Sequence, residues 1–119
     1  MSVVVDLDIL RPEQKFIRLN GKDFDVSFIP CGVTFEIENL LSVLGKIPET
    51  KILKGGKECK EAFELSIKIC SCFVTHLVPE MDAEWFRKNV DAVQINSFVK
   101  EIQTALMASY KGVADYGKK

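Results

Sequence analysis

The longest amphipathic pattern in the chain covers residues 57–77. Its apolar residues recur at the three- and four-residue spacing of an α-helical face, and further apolar residues widen that face on both sides. They are Cys59, Ala62, Phe63, Leu65, Ile67, Ile69, Cys70, Cys72, Phe73, Val74 and Leu77. Only a narrow polar strip is left for solvent, in which Glu64 and Lys68 have the favourable i,i+4 order. The pattern therefore predicts a central helix that other elements cover on most sides.

Asn20-Gly21 separates two segments of alternating apolar and polar residues within residues 15–29. Asn-Gly favours a two-residue type I′ turn, because both turn positions require positive φ. The predicted cross-strand pairs are Leu19 with Lys22, Arg18 with Asp23 and Ile17 with Phe24. The apolar face of the hairpin then consists of Ile17, Leu19, Phe24 and Val26. Since a lone hairpin is only marginally stable in water, we expect helices to cover this face.

The segment after the hairpin predicts a helix followed by a loop. Thr34 is a candidate N-cap for this first helix, and Gly45 and Pro48 are expected to end it. Its apolar stripe is Ile37, Leu40, Leu41 and Leu44. Residues 46–56 are rich in Pro, Lys and Gly, a composition that predicts a mobile loop before the central helix.

Two more helices are predicted after the central one. Asp82 can cap a short helix over residues 83–89. Asp91 and Gln94 have the spacing of a capping box for the last helix, which Gly112 is expected to end. The apolar stripe of the last helix is Ile95, Phe98, Val99, Ile102, Leu106 and Tyr110.

These elements together predict an α+β fold that is mostly helical, with about four helices and an N-terminal β-hairpin. The 119 residues suit a single domain with its own core. Within it, residues 1–14 contain Pro12 and alternating acids and predict an extended arm. Residues 113–119 are expected to form a frayed tail.

Charge and hydropathy disfavour several classes of partner. Sixteen Lys and Arg residues against 17 Asp and Glu residues give a net charge of −1, which disfavours a general surface for nucleic acid or anionic membrane. No apolar run approaches the ~18 residues that a membrane span needs. We therefore expect a cytosolic protein that binds neither nucleic acid nor membrane.

The chemically active residue types do not form a recognisable catalytic or metal-binding motif. Cys72 and His76 lie four residues apart on one helical face, but a zinc site needs three or four converging ligands. His76 is the one histidine of the chain, and no motif supplies it with an acid or a nucleophile. We expect the four cysteines, which include Cys31 and Cys59, to be reduced thiols. The sequence thus predicts no metal, no cofactor and no enzyme activity.

Two stretches carry a resemblance to a known family. They are LNGKDFDVSFIP at the hairpin and EWFRKNVDAVQINSFVKEIQTAL in the late helices. With the order of elements around them, they resemble tail assembly chaperones of long-tailed bacteriophages and prophages. The resemblance implies a non-enzymatic protein of the bacterial host cytosol that binds the tape measure protein during tail morphogenesis and keeps its apolar helical segments soluble. It implies the major tail protein as a further candidate partner, and it carries over no catalytic residues.

A chaperone of this kind needs exposed apolar side chains, and the first helix and the following loop supply candidates. These partner-binding candidates are Phe35, Val43, Ile52 and Leu53. Phe35 and Val43 have the alternative of packing against the hairpin, and Trp85 either covers the core or contacts a partner. Two other functions stay open at this point. One is a small phage or bacterial DNA-binding regulator that uses lysines of residues 46–60, and the other is a structural tail or connector component.

Overall fold

Helix α3 (Lys57–Thr75) lies at the centre of the molecule, and every other α-helix packs against it. This architecture is that of a computed structural model, which describes residues 4–10 and 13–116. The buried residues of α3 are Ala62, Ser66, Ile67, Ile69, Cys70, Phe73 and Val74. Ser66 is accommodated there because its hydroxyl donates to the carbonyl of Ala62, at 2.9 Å. The predicted central helix is confirmed.

The described residues form the following elements in chain order. A 3-10 helix (Leu7–Leu10) precedes strands β1 (Phe16–Leu19) and β2 (Lys22–Asp25), and the helices are α1 (Cys31–Leu44), α2 (Glu49–Leu53), α3, α4 (Ala83–Asn89) and α5 (Ala92–Tyr116). The predicted class, a mostly helical α+β fold with an N-terminal hairpin, is confirmed. None of the helices in the described part of the chain combines the length and the apolarity that a membrane crossing requires.

The hairpin has the predicted turn and register. Asn20 and Gly21 both have positive φ, 52° and 77°, as a type I′ turn requires. The antiparallel pairs are Phe16 with Asp25, Ile17 with Phe24, Arg18 with Asp23, and Leu19 with Lys22. On the outer face, the Arg18 guanidinium donates to the Asp23 carboxylate at 2.8 Å. The inner face is covered as expected, since Leu19, Phe24 and Val26 are buried and Ile17 is half-buried.

Phe98 of α5 joins three other elements in the aromatic part of the core. Its ring centroid lies 6.4 Å from that of Phe24 in β2, 6.0 Å from that of Phe73 in α3 and 6.4 Å from that of Phe86 in α4. Trp85 packs edge-on to Phe86, at 5.2 Å between ring centroids, and is half-buried. The hairpin, α3 and α4 therefore all contact one side chain of α5, and Trp85 lies at the edge of this cluster.

The helix starts of α4 and α5 follow their predicted caps, whereas that of α1 does not. The Asp82 carboxylate accepts from the Trp85 backbone N–H at 3.0 Å. Asp91 and Gln94 exchange side-chain-to-backbone bonds of 2.8 and 3.0 Å, the reciprocal pattern of a capping box. The prediction that Thr34 caps α1 is wrong, since the helix begins at Cys31 after Pro30. The backbone N–H of Thr34 already donates to the carbonyl of Pro30 at 2.9 Å, which places Thr34 inside the first turn.

Both chain ends have more helix than predicted. The arm is not extended throughout, because Leu7–Leu10 forms a 3-10 helix that begins where the Asp6 carboxylate accepts from the Asp8 backbone N–H at 3.0 Å. Pro12, on which the arm prediction partly rested, lies outside the described residues. Gly112 does not end α5, which continues to Tyr116. A glycine inside a helix costs only about 1 kcal/mol, so the helix runs through it. Of the predicted frayed tail, residues 117–119 lie outside the described residues.

The predicted loop over residues 46–56 contains a helix. Pro48 is the N-cap of α2, the five-residue helix that makes the helix count five where about four were expected. Gly55 and Gly56 then have positive φ, 75° and 83°, and reverse the chain into α3. The loop prediction is therefore wrong for the middle of the segment, because proline followed by Glu49 is also a good helix start.

One detail of the predicted central helix needs correction. Leu77 was assigned to the buried stripe, but α3 ends at Thr75 and Leu77 is 46% exposed. The favourable i,i+4 order of Glu64 and Lys68 stands, but the main partner of the Glu64 carboxylate is the Arg87 guanidinium of α4, which donates to it at 2.6 Å. The forked guanidinium binds both carboxylate oxygens, which a lysine ammonium does not match, and this contact ties α4 to α3.

Candidate binding groove

The four predicted partner-binding residues do not form one surface. Phe35, Val43 and Leu53 are exposed at 67%, 44% and 80%, so the alternative of core packing is wrong for Phe35 and Val43. Phe35 lies on the face of α1 opposite the buried Ile37, about 12 Å along the helix axis from Val43 and about 80° around it. Ile52 is half-buried. Of the four residues, Ile52 is the one that lines the concave surface between α1 and α5.

That concave surface is a groove between α1 and α5. Its larger part is a cavity of about 490 Å³ lined by Glu38, Leu41, Lys100, Gln103, Thr104, Leu106, Met107 and Tyr110. Its smaller part, of about 170 Å³, is lined by Leu44, Ile52, Ala62, Phe63, Ser66, Asn96, Val99, Lys100 and Gln103. Lys100 and Gln103 line both parts, so the two adjoin each other. We call the whole the α1–α5 groove.

The groove exists because α1 and α5 pack mainly against α3 and not against each other. Ala62 and Ser66 lie one turn apart on α3 and form the floor of the smaller part. Their side chains are short, so the larger side chains of the flanking helices stand above them. Leu44 of α1 and Val99 of α5 are examples from the two walls. The depth of the smaller part thus follows from two small residues on the central helix.

One hydrogen bond connects the two walls. The Tyr110 hydroxyl on α5 donates to the Glu38 carboxylate on α1 at 2.9 Å. Partial burial and the neighbouring carboxylate raise the pKa of Tyr110 above its ordinary value, so the hydroxyl keeps its proton at neutral pH. Tyr110 was predicted to belong to the buried stripe of α5, but it is 47% exposed and lines the groove. The helix extends beyond the core, so the last residue of its apolar stripe is not buried.

Lys100 carries the charge in the middle of the groove. It is exposed, and among the described residues no carboxylate lies within 4.0 Å of its ammonium group. The adjacent Glu101 is directed away from it and pairs with Lys15 at 2.5 Å. The groove therefore presents an unpaired positive charge, while its one acidic side chain, Glu38, is already bonded to Tyr110.

The cysteine and histidine candidates are occupied by other contacts. The Cys72 thiol donates to the Glu36 carboxylate at 3.0 Å, and burial together with this carboxylate raises the pKa of Cys72 to about 12. Burial likewise raises the pKa of Cys70 to about 12. The Nδ1 atom of His76 contacts the carbonyl oxygen of Phe73. Both thiols are therefore protonated at neutral pH and poor as nucleophiles or ligands. Across the described residues, no three His, Cys, Asp or Glu side chains gather into a metal site.

Sequence reasoning missed most residues of the groove, although one signal was present. Lys100, Gln103, Met107 and Tyr110 follow each other on α5 at spacings of three or four residues, next to the buried stripe. Met107 is 70% exposed within this row. Such a second row on one helix indicates a face that meets something other than the core. Which helix stands opposite that face depends on tertiary packing.

Comparison with known proteins adds no relative. No family model, no curated protein and no solved structure matches this chain. The functional argument therefore rests on the groove, on the exposed apolar residues and on the sequence patterns.

Proposed function

We propose that this protein is a non-enzymatic tail assembly chaperone of a phage or prophage, which binds the tape measure protein during tail morphogenesis. The observation that carries the proposal is the open α1–α5 groove, whose walls and floor are mostly apolar. Exposed apolar surface of this kind is typical of a site for another polypeptide. The resemblance of the hairpin and late-helix segments to tail assembly chaperones supports the same assignment.

The groove suits a helix better than an extended peptide. Its walls are helices, whose backbone N–H and C=O groups are used within the helices themselves. An extended peptide laid against such walls finds no backbone partners, whereas a helix satisfies its own backbone hydrogen bonds. A tape measure protein is expected, from the family resemblance, to be long and helical, which is the form the groove accepts.

The composition of the groove suits reversible binding of many similar segments. Leu41, Leu44 and Ile52 offer apolar contact without a deep specificity pocket. Met107 has a flexible, polarisable side chain that adapts to different apolar partners. These properties favour low specificity, which a protein needs if it is to cover successive apolar stretches and then release them.

The exposed residues outside the groove are proposed as additional contacts. Phe35 and Leu53 are the most exposed of the four partner-binding candidates, and neither lines the α1–α5 groove. Either the tape measure protein or the major tail protein is the proposed partner there. Phe35→Asp is expected to weaken partner binding while the free energy of unfolding changes by less than about 0.5 kcal/mol, as is usual for an exposed site.

The test is co-expression of this chain with a tape measure protein of the same phage or prophage, followed by measurement of the tape measure protein in the soluble fraction. We expect the wild type to increase that fraction and Met107→Glu to reduce the gain. Val93→Glu is the matched control, because Val93 is 75% exposed on the same helix but lies outside the α1–α5 groove.

Two results would overturn the assignment. Unchanged solubility together with tight, salt-sensitive binding to duplex DNA would indicate the regulator. Stoichiometric recovery of the chain in purified tails would indicate a structural component, since a chaperone leaves before the particle is complete.

A further inference from the structure

We propose that the α1–α5 groove selects helices whose apolar face is flanked by carboxylates, and that Lys100 is the residue that pairs with these carboxylates. The inference rests on the proposed function and adds to it the charge of the bound segment. The occupant is one amphipathic helix of the partner, seated between α1 and α5 with acidic side chains at its rim.

Lys100 suits this role by its position in the groove and because no described carboxylate pairs with it. It lines both parts of the groove, so a helix lying anywhere along the groove passes close to it. Its ammonium group has no carboxylate within 4.0 Å among the described residues, while its neighbour Glu101 is paired with Lys15. An opposite charge on the incoming helix is therefore the one that gains from this position.

The α2 end of the groove adds to the positive charge. Ile52 lines the groove there, and it lies in the chain between lysines. Residues 46–60 contain five lysines and two glutamates, although the whole chain has a net charge of −1. In the part of the chain that the structure describes, none of these five lysines has a salt-bridge partner. A basic region on an otherwise slightly acidic protein, placed at one end of an apolar groove, favours acidic flanks over basic ones.

The groove offsets this preference only in its larger part. Its acidic side chain, Glu38, lies there, and the hydrogen bond that it accepts from the Tyr110 hydroxyl at 2.9 Å leaves its negative charge in place. The remaining polar side chains of the lining are uncharged, namely Ser66, Asn96, Gln103, Thr104 and Tyr110. In the smaller part, whose described lining residues include no acidic one, the charge that discriminates between two helices of equal apolar face is therefore that of Lys100, with support from the lysines around α2.

The experiment uses the full chain and two synthetic helical peptides of about 20 residues, a length at which a helix can form alone. Both peptides carry the same leucine face, and their flanks are glutamate in one and lysine in the other. Dissociation constants are measured by fluorescence anisotropy at low ionic strength. We expect the glutamate peptide to bind about tenfold more tightly, with the difference shrinking as salt is added.

Two charge reversals on α5 identify the residue responsible. Lys100→Glu is expected to abolish or invert the preference, and Lys100→Gln to reduce it. Lys111→Glu is the matched control, because Lys111 is exposed on the same helix but does not line the groove. Circular dichroism of each variant checks that the fold is kept. Retention of the full preference by Lys100→Glu, or its loss in Lys111→Glu, would overturn the assignment to Lys100.

The outcome is separable from that of the proposed function. Equal affinity for the two peptides, or no binding of either, overturns the charge rule. If the chain still solubilises the tape measure protein in that case, the chaperone assignment stands without the charge rule. If solubilisation fails as well, both proposals fall.

Discussion

Replacement of Phe98 by leucine removes the ring that connects β2, α3 and α4 to α5. Phe98 is 4% exposed, and its ring makes three aromatic contacts at centroid distances of 6.0 to 6.4 Å. Two of these, with Phe73 and Phe86, are edge-to-face, and the third, with Phe24, is tilted by 42°. Leucine retains much of the apolar volume, so the substitution isolates the contribution of the ring.

The magnitude follows from these contacts. An aromatic pair contributes about 0.5 to 1.5 kcal/mol beyond area burial, and the two edge-to-face pairs have the better geometry. The small cavity left by leucine adds about 0.5 to 1 kcal/mol. We therefore expect Phe98→Leu to lower the free energy of unfolding by about 1.5 to 4 kcal/mol, which is a large part of the roughly 5 to 15 kcal/mol typical of a domain.

The assay is urea unfolding followed by far-UV circular dichroism, with the denaturant slope compared between variants. An unchanged slope with a lower midpoint is the expected result, because the same surface is exposed on unfolding. Val93→Ala is the control on the same helix, since Val93 is 75% exposed, and it should change stability by less than about 0.5 kcal/mol. A loss below about 1 kcal/mol for Phe98→Leu would refute the view that this ring holds the elements together.

Three further outcomes test local features of the fold. Gln94→Ala breaks one half of the capping box and should cost about 1 kcal/mol in the same unfolding assay. Iodoacetamide at about pH 8 should label the exposed Cys31 and leave Cys72 largely unmodified in peptide mass spectra, because the Cys72 thiol stays protonated. Burial is the larger cause of the raised pKa of Cys72 and persists in Glu36→Gln, but loss of the carboxylate removes the second cause and should accelerate labelling. The hydrogen bond from Arg87 of α4 lowers the pKa of Glu64. This contact therefore stabilises the fold above the ordinary carboxyl pKa, and its stabilisation is lost as the pH falls through the lowered pKa of Glu64. Melting temperatures should therefore fall less steeply in acid for Glu64→Gln than for the wild type.

Local sequence signals predicted those parts of the fold in which one short-range interaction decides the structure. Asn20-Gly21 determines the hairpin register, since few other residues accept two successive positive φ values. Asp91 and Gln94 define the start of α5 because the side chain of each accepts a hydrogen bond from the backbone N–H of the other. Thr34 shows where this reasoning ends, because several residues near a proline can start a helix and the choice among them depends on packing.

Local sequence signals did not predict the α1–α5 groove. The apolar periodicity of α5 identified its buried face. It did not show that the helix extends past the core, where Tyr110 contacts Glu38 of α1. Periodicity also does not state which helices meet, and the groove arises because α1 and α5 pack on α3 with a gap between them. Of the four residues proposed for partner binding, only Ile52 lies in this gap, since Phe35 is on the far face of α1.

The short length of α2 has a consequence for how the groove fluctuates. An isolated helix needs about 12 to 15 residues to be even marginally stable, and α2 has five, so its order depends on packing through residues such as Ile52. In terms of amide hydrogen exchange, α2 then exchanges through a local opening, whereas the amides of α3 exchange through global unfolding. Each opening of α2 opens one end of the groove for a short time and leaves the body of the domain folded. A helix bound in the groove would slow exchange at α2 first, before any protection is gained in α3.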